Sequence, residues 1–144
     1  MADTNHNREM PITRRASCGC GQLEITCEGE PFRISICHCL ACQRRTGSIY
    51  GVQARFRNDQ ITGMEGRSTR YSRPADSGST VTFHFCPDCG STVYWRLSTF
   101  PDVTAVAVGA FSDPAFPEPG HSVFEARRHD WAMAPSSLEM EHLD

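Results

Sequence analysis

Lysine is absent: all 14 basic residues of this 144-residue chain are arginine. That absence removes two chemistries, the Schiff base of a catalytic amine and the lysine of a phosphate-binding loop. Any anion must be held by guanidinium forks, which suit carboxylates well. Long apolar runs are also missing. Nowhere do 18 consecutive apolar residues occur, so no membrane-spanning helix is expected, and the polar start MADTNHNREMPITRR carries no secretory signal. A basic excess is lacking too, and the net charge of −3 argues against a nucleic-acid partner. Helical periodicity is scarce. Only ACQRRTG suggests a short helical turn.

What is present is strand-like alternation. In QLEITCEG, Leu23, Ile25 and Cys27 alternate with polar neighbours, and RISIC repeats the pattern. SIYGVQARF follows, with Gly51 as an expected bulge. STVTFHF and STVYWRL flank a glycine-bearing turn, VTAVAVGAF has the two-faced apolarity of a central strand, and HSVFEARR is a candidate last strand. Short strands separated by Gly, Pro and Asp turns predict an all-β fold, a β-sandwich of folded antiparallel sheets with little helix. The expected layout is a flexible segment at 1–14, a single zinc-binding β domain at 15–135 and a tail at 136–144. Sheet edges permit a homodimer without specifying one.

Eight cysteines exceed what core filling requires. In a cytoplasm that keeps thiols reduced, the expected location of this chain, their natural partner is a metal. They fall into three groups and a singleton. Cys86-x2-Cys89 followed by Gly90 has the shape of a zinc knuckle. Cys18 and Cys20, two apart on an extended segment, project to one side. Together they make a four-cysteine set suited to a closed structural site. The rival reading of Cys86-Pro-Asp-Cys89, a redox pair, requires a strand running into a helix, and here strands flank both sides.

Cys37 and Cys39 share a face, and Cys42 can fold back on them. Three thiolates bind zinc without completing it, which is the mark of an open site. His38, between the two, should point away as a surface or hydrogen-bonded residue. Cys27, in phase with Leu23 and Ile25, reads as buried and inert rather than as a fourth ligand. Zinc on three thiolates carries a net charge of −1, which makes it a poor Lewis acid and a good host for another soft thiolate. Arg44 and Arg45 either offset that charge or hold a substrate's carboxylates. No general acid stands out. His84 reads as a surface residue, and Asp88 as a former of the knuckle turn.

C-G-C-G, then C-H-C-x2-C-x-R-R-T-G, then F-C-P-x-C-G-S-T together resemble the glutathione-dependent formaldehyde-activating enzyme family, which includes centromere protein V. The resemblance runs from about Ser17 to Trp131. It implies a β-tent-like zinc fold and two zincs per chain. A structural zinc falls on Cys18, Cys20, Cys86 and Cys89, and a catalytic, exchangeable one on Cys37, Cys39 and Cys42. It also implies a carbon–sulfur lyase joining glutathione, or another small thiol, to formaldehyde as S-(hydroxymethyl)glutathione. The alternative is a non-enzymatic zinc-stabilised binding module.

Overall fold

Each apolar alternation in the sequence becomes a strand in the computed structural model, which describes residues 10–132 and 139–144. The elements run β1 (Thr13–Ser17), β2 (Glu24–Glu28), β3 (Arg33–Cys37), α1 (Leu40–Thr46), β4 (Gly51–Arg57), β5 (Ile61–Glu65), β6 (Thr69–Pro74), β7 (Thr80–Phe85), β8 (Thr92–Leu97), β9 (Val103–Ala107), β10 (His121–Val123) and β11 (Glu141–His142). They form a three-stranded sheet, β1-β2-β5, and an eight-stranded one, β11-β10-β3-β4-β9-β8-β7-β6. The chain is therefore all-β, with one α-helix among the described residues.

The main core lies between the sheets. Ile25 and Cys27 from the small sheet meet Ile34, Ala54, Phe56 and Val106 from the large one. A second apolar cluster, Val81, Phe83, Trp95 and Ala105, belongs to β7, β8 and β9. Because side chains alternate along a strand, the residues of β3 and β4 that leave the main core share one face: Arg33, Ser35 and Cys37 stand opposite Arg55, Gln53 and Gly51. This face carries chemistry instead of packing.

Several expectations change in detail. The sheets are not wholly antiparallel, since β10 pairs parallel to both β3 and β11. A long connection after β9, which buries Phe111 and stacks it on Phe116, brings the chain back in that direction. β10 is shorter than HSVFEARR because Phe124 adopts a left-handed φ of 56° and a 3-10 turn follows at Glu125–Arg127. Gly51 is no bulge: the β3–β4 register runs through it unbroken, and a Cβ there would lie 2.7 Å from Nη2 of Arg45. β1 starts at Thr13, inside the stretch expected to be flexible, whose first nine residues lie outside the described ones. Residues 133–138, spanning the expected boundary between domain and tail, lie outside them as well. β6 escaped the pattern reading because as an edge strand it is exposed on almost every residue and does not alternate.

Candidate metal centres and the adjoining cavity

Cys18 and Cys20 follow β1, and Cys86 and Cys89 bracket the turn between β7 and β8. The fold brings all four sulfurs within 4.8 Å of one another. Sγ of Cys20 lies 3.7 Å from both Cys18 Sγ and Cys86 Sγ. The knuckle closes through Gly90, whose φ of 81° lets its N–H donate to Cys86 O at 2.8 Å. Donors converge on the sulfurs: Asp88 N and Cys89 N reach Cys86 Sγ at 3.3 and 3.4 Å, and Gln22 Nε2 reaches it at 3.0 Å. Leu23 N donates to Cys18 Sγ at 3.2 Å. Several N–H groups aimed at sulfur favour thiolates, and four convergent thiolates are the donor set of a tetrahedral structural site. No helix follows Cys89, so the strand-to-helix setting of a redox pair is absent here.

The second cluster joins the end of β3 to α1. Cys37, Cys39 and Cys42 also lie within 4.8 Å of one another, and no fourth Cys, His, Asp or Glu joins them among the described residues. Cys39 caps α1, its sulfur accepting from Cys42 N at 3.3 Å. Hydrogen bonds from the Cys37 and Cys42 thiols pull Cys39 down to about 2. The shared proton pushes Cys37 the other way. A set in which one sulfur ionises readily and two lie within its reach suits a soft divalent metal.

These three cysteines line an inner cavity of about 470 Å³. Arg45 reaches across it, its guanidinium 4.3 Å from the Trp95 ring centroid and 5.5 Å from that of Phe83. Cys42 lies above the usual thiol value: a hydrogen bond with Cys37 lowers it, the hydrogen bond with Cys39, burial and the Cys39 charge raise it, and the Arg45 charge offsets only part of that rise. Arg44 is exposed and lines a neighbouring outer cavity of about 760 Å³, away from the cysteines. The two sequence-predicted arginines are thus separated. Spacing did not point to Arg55, Arg73 and Arg127, which also line the inner cavity. The in-phase run Gly51, Gln53, Arg55 was the available clue.

His38 turns away from the cluster as expected but is not at the surface. It is 4% exposed, bonds Ser122 through Nε2 at 3.0 Å and meets Tyr50 edge-on. Burial holds its pKa below the usual imidazole value. His84 stacks on Tyr94 with centroids 4.4 Å apart and pairs with Ser68 Oγ. Asp88 receives Arg67 at 2.6 Å. Cys27 is fully buried, and desolvation pushes its thiol to about 12.

The fold is thus all-β with two cysteine clusters that could each hold a metal ion, a four-sulfur set and a three-sulfur set facing a cation-lined cavity. A family model described as glutathione-dependent formaldehyde-activating enzyme matches residues 13–127, and the chain belongs to that family. Its fold is similar to the crystal structure of a Rhodobacter sphaeroides protein solved as a structural genomics target. The two share 22% identity at a TM-score of 0.54, covering 69% of this chain and 91% of that one. Membership supports a glutathione-related, formaldehyde-activating function.

Proposed function

We propose that this protein is a zinc-dependent carbon–sulfur lyase that forms or cleaves S-(hydroxymethyl)glutathione or a related thiol adduct. It would hold two zincs per chain, a structural one on Cys18, Cys20, Cys86 and Cys89 and an exchangeable one on Cys37, Cys39 and Cys42. The observation that carries this reading is the three-sulfur cluster opening into a cavity, with no fourth protein donor among the described residues. When bound there, zinc would supply stabilisation of a thiolate at neutral pH.

The rest falls to the chain's own side chains. Arg45, fixed over Trp95 and beside the cysteines, sets the positive potential that draws an anionic thiol inward. Arg44 and Arg73 line the outer cavity and are positioned for the carboxylates of a thiol tripeptide. Phe83 and Trp95 keep the inner wall apolar, which strengthens each charge interaction inside it. In the condensation the thiol sulfur attacks the carbonyl carbon, the C–S bond forms, and the carbonyl oxygen ends as a hydroxyl carrying the proton. A guanidinium is the group placed to meet charge developing on that oxygen.

Native mass spectrometry with and without reduced glutathione tests the reading. Two zincs and a glutathione adduct that disappears in a folded Cys39→Ser variant are expected. Two zincs with no adduct at millimolar glutathione would remove glutathione as substrate, and a single zinc would remove the open metal site.

A further inference from the structure

Four guanidinium groups line the inner cavity beside the three cysteines. Arg45, Arg55, Arg73 and Arg127 line it, against a single carboxylate, the exposed Asp76. Among the described residues none of the four makes an ion pair. Aromatic rings hold three of them instead. Arg45 lies over Trp95, Arg73 over Phe83 at 5.5 Å, and Arg55 over Phe100 at 5.8 Å. A guanidinium held by a ring face keeps its in-plane N–H donors free for a ligand.

Arg55 is the most demanding of the set. It sits directly opposite Arg33 in the β3–β4 register, a like-charge pair that is unfavourable on its own. The Nε atoms of both are buried without a hydrogen-bond partner. Burial and the Arg33 charge hold Arg55 below the usual guanidinium value, while Cys37 pulls the other way. A guanidinium with a buried, unpaired Nε beside a second guanidinium costs stability that a bound anion would recover.

The two cavities divide the arginines. They share Arg45 and Arg73 along with Leu40, Ala41 and Phe83, so they adjoin across the first turn of α1. Arg44 belongs to the outer one only; Arg55, Arg127 and the cysteines belong to the inner one only. A thiol whose carboxylates rest on Arg44, Arg45 and Arg73 enters over Leu40 and reaches the cysteines with its sulfur. Arg55 and Arg127 then face the carbonyl compound, and formaldehyde has no charge to offer them.

We propose that the carbonyl partner is an aldehyde bearing a carboxylate, a small oxo acid, with its carboxylate held by Arg55 and Arg127, the two arginines that line the inner cavity but not the outer one. This rests on the lyase reading and changes only the carbonyl compound. The reaction R–SH + OHC–CO2− → R–S–CH(OH)–CO2− forms one C–S bond and breaks one C=O π bond. The thiol proton ends on the new hydroxyl, and nothing is oxidised or reduced.

The test uses the zinc-loaded protein with glutathione and compares glyoxylate with formaldehyde, each measured as adduct formation above the uncatalysed background. The expected kcat/KM for glyoxylate is at least about 10-fold above that for formaldehyde, and the ratio falls about 10-fold or more in Arg55→Gln. Arg127→Gln, a substitution at an exposed position, should lower the ratio as well and serves if Arg55→Gln does not fold. Turnover of formaldehyde with a ratio at or below one, or a ratio that neither variant lowers, overturns the proposal and leaves the lyase reading standing. If no aldehyde is turned over, the lyase reading fails, and with it the assignment of a carbonyl substrate. Calorimetric titration of glyoxylate alone then decides the anion site: binding weakened about 10-fold in Arg55→Gln sustains it, and no binding overturns it.

Discussion

The four-cysteine and three-cysteine clusters use one side chain in opposite settings. The first ties the small sheet to the β7–β8 turn, and its ligand set is completed by sulfurs from two distant parts of the chain. The second is local, three sulfurs within six positions, and opens into a cavity with cations around it. A long-range closed set stabilises a fold because its four ligands are far apart in the unfolded chain. A local open set constrains little, so its surroundings are free to specialise. The two clusters thus differ in number of sulfurs and in span along the chain, four from distant segments against three from one segment.

The largest effect should come from breaking the closed cluster. Cys86→Ser removes a fully buried sulfur that accepts from three N–H groups. A loss on the order of 5 kcal/mol or more is expected, with collapse of near-UV circular dichroism and loss of metal from both clusters. A variant that keeps its fold and two zincs would contradict the structural role. Cys39→Ser should do the reverse: the thermal midpoint stays within about 3 °C, zinc falls from two per chain to one, and turnover drops about 100-fold or more. Zinc analysis and calorimetry of the same two preparations check both halves of the contrast.

Much of this contrast was legible in the sequence, for a physical reason. Metal-binding cysteines are constrained by spacing along the chain, and Cys86-x2-Cys89 or Cys37-x-Cys39-x2-Cys42 can be read without knowing the fold. Alternation likewise gave β2, β3 and β7, and apolarity on both faces gave β9, whose central residues are all buried. The arginines were not legible. Arg55 meets Arg33 only through cross-strand register, and Arg73 sits on an edge strand with no alternation to mark it. Sequence proximity favoured Arg44, which the helix turns into the outer cavity, because residues adjacent on a helix diverge by about 100°. Parallel pairing of β10 was equally hidden, since strand direction is set by the path of the connection rather than by composition.

A smaller perturbation acts on the open cluster from one side. Gly51→Ala places a methyl 2.7 Å from Nη2 of Arg45, the far end of a flexible side chain. The fold should yield by moving the guanidinium off Trp95, raising KM for the thiol about 5-fold and lowering stability by less than about 1 kcal/mol. Steady-state kinetics of a variant with an unchanged melting curve would separate positioning of Arg45 from damage to β4. An unchanged KM would show that Arg45 does not meet the thiol.

The smallest effect sharpens the comparison by supplying a cysteine that belongs to neither side. Cys27 lies in the main core, in neither cysteine cluster and in the lining of neither the inner nor the outer cavity. Cys27→Ala should leave two zincs and full turnover, at a cost of about 1 kcal/mol for the lost sulfur volume. Its pH dependence has a definite sign. The folded thiol ionises near 12 against an ordinary value of 9.0, so its contribution is fully present below pH 9 and is lost as the pH rises towards 12. The stability advantage of the native protein over Cys27→Ala should therefore shrink above pH 9 and reverse before pH 12, read as thermal midpoints of the two zinc-loaded proteins that converge and then cross. Midpoints that keep a constant gap across that window would mean the thiol is not held neutral by burial. A gain or loss of zinc in the variant would mean that Cys27 takes part in one of the clusters after all.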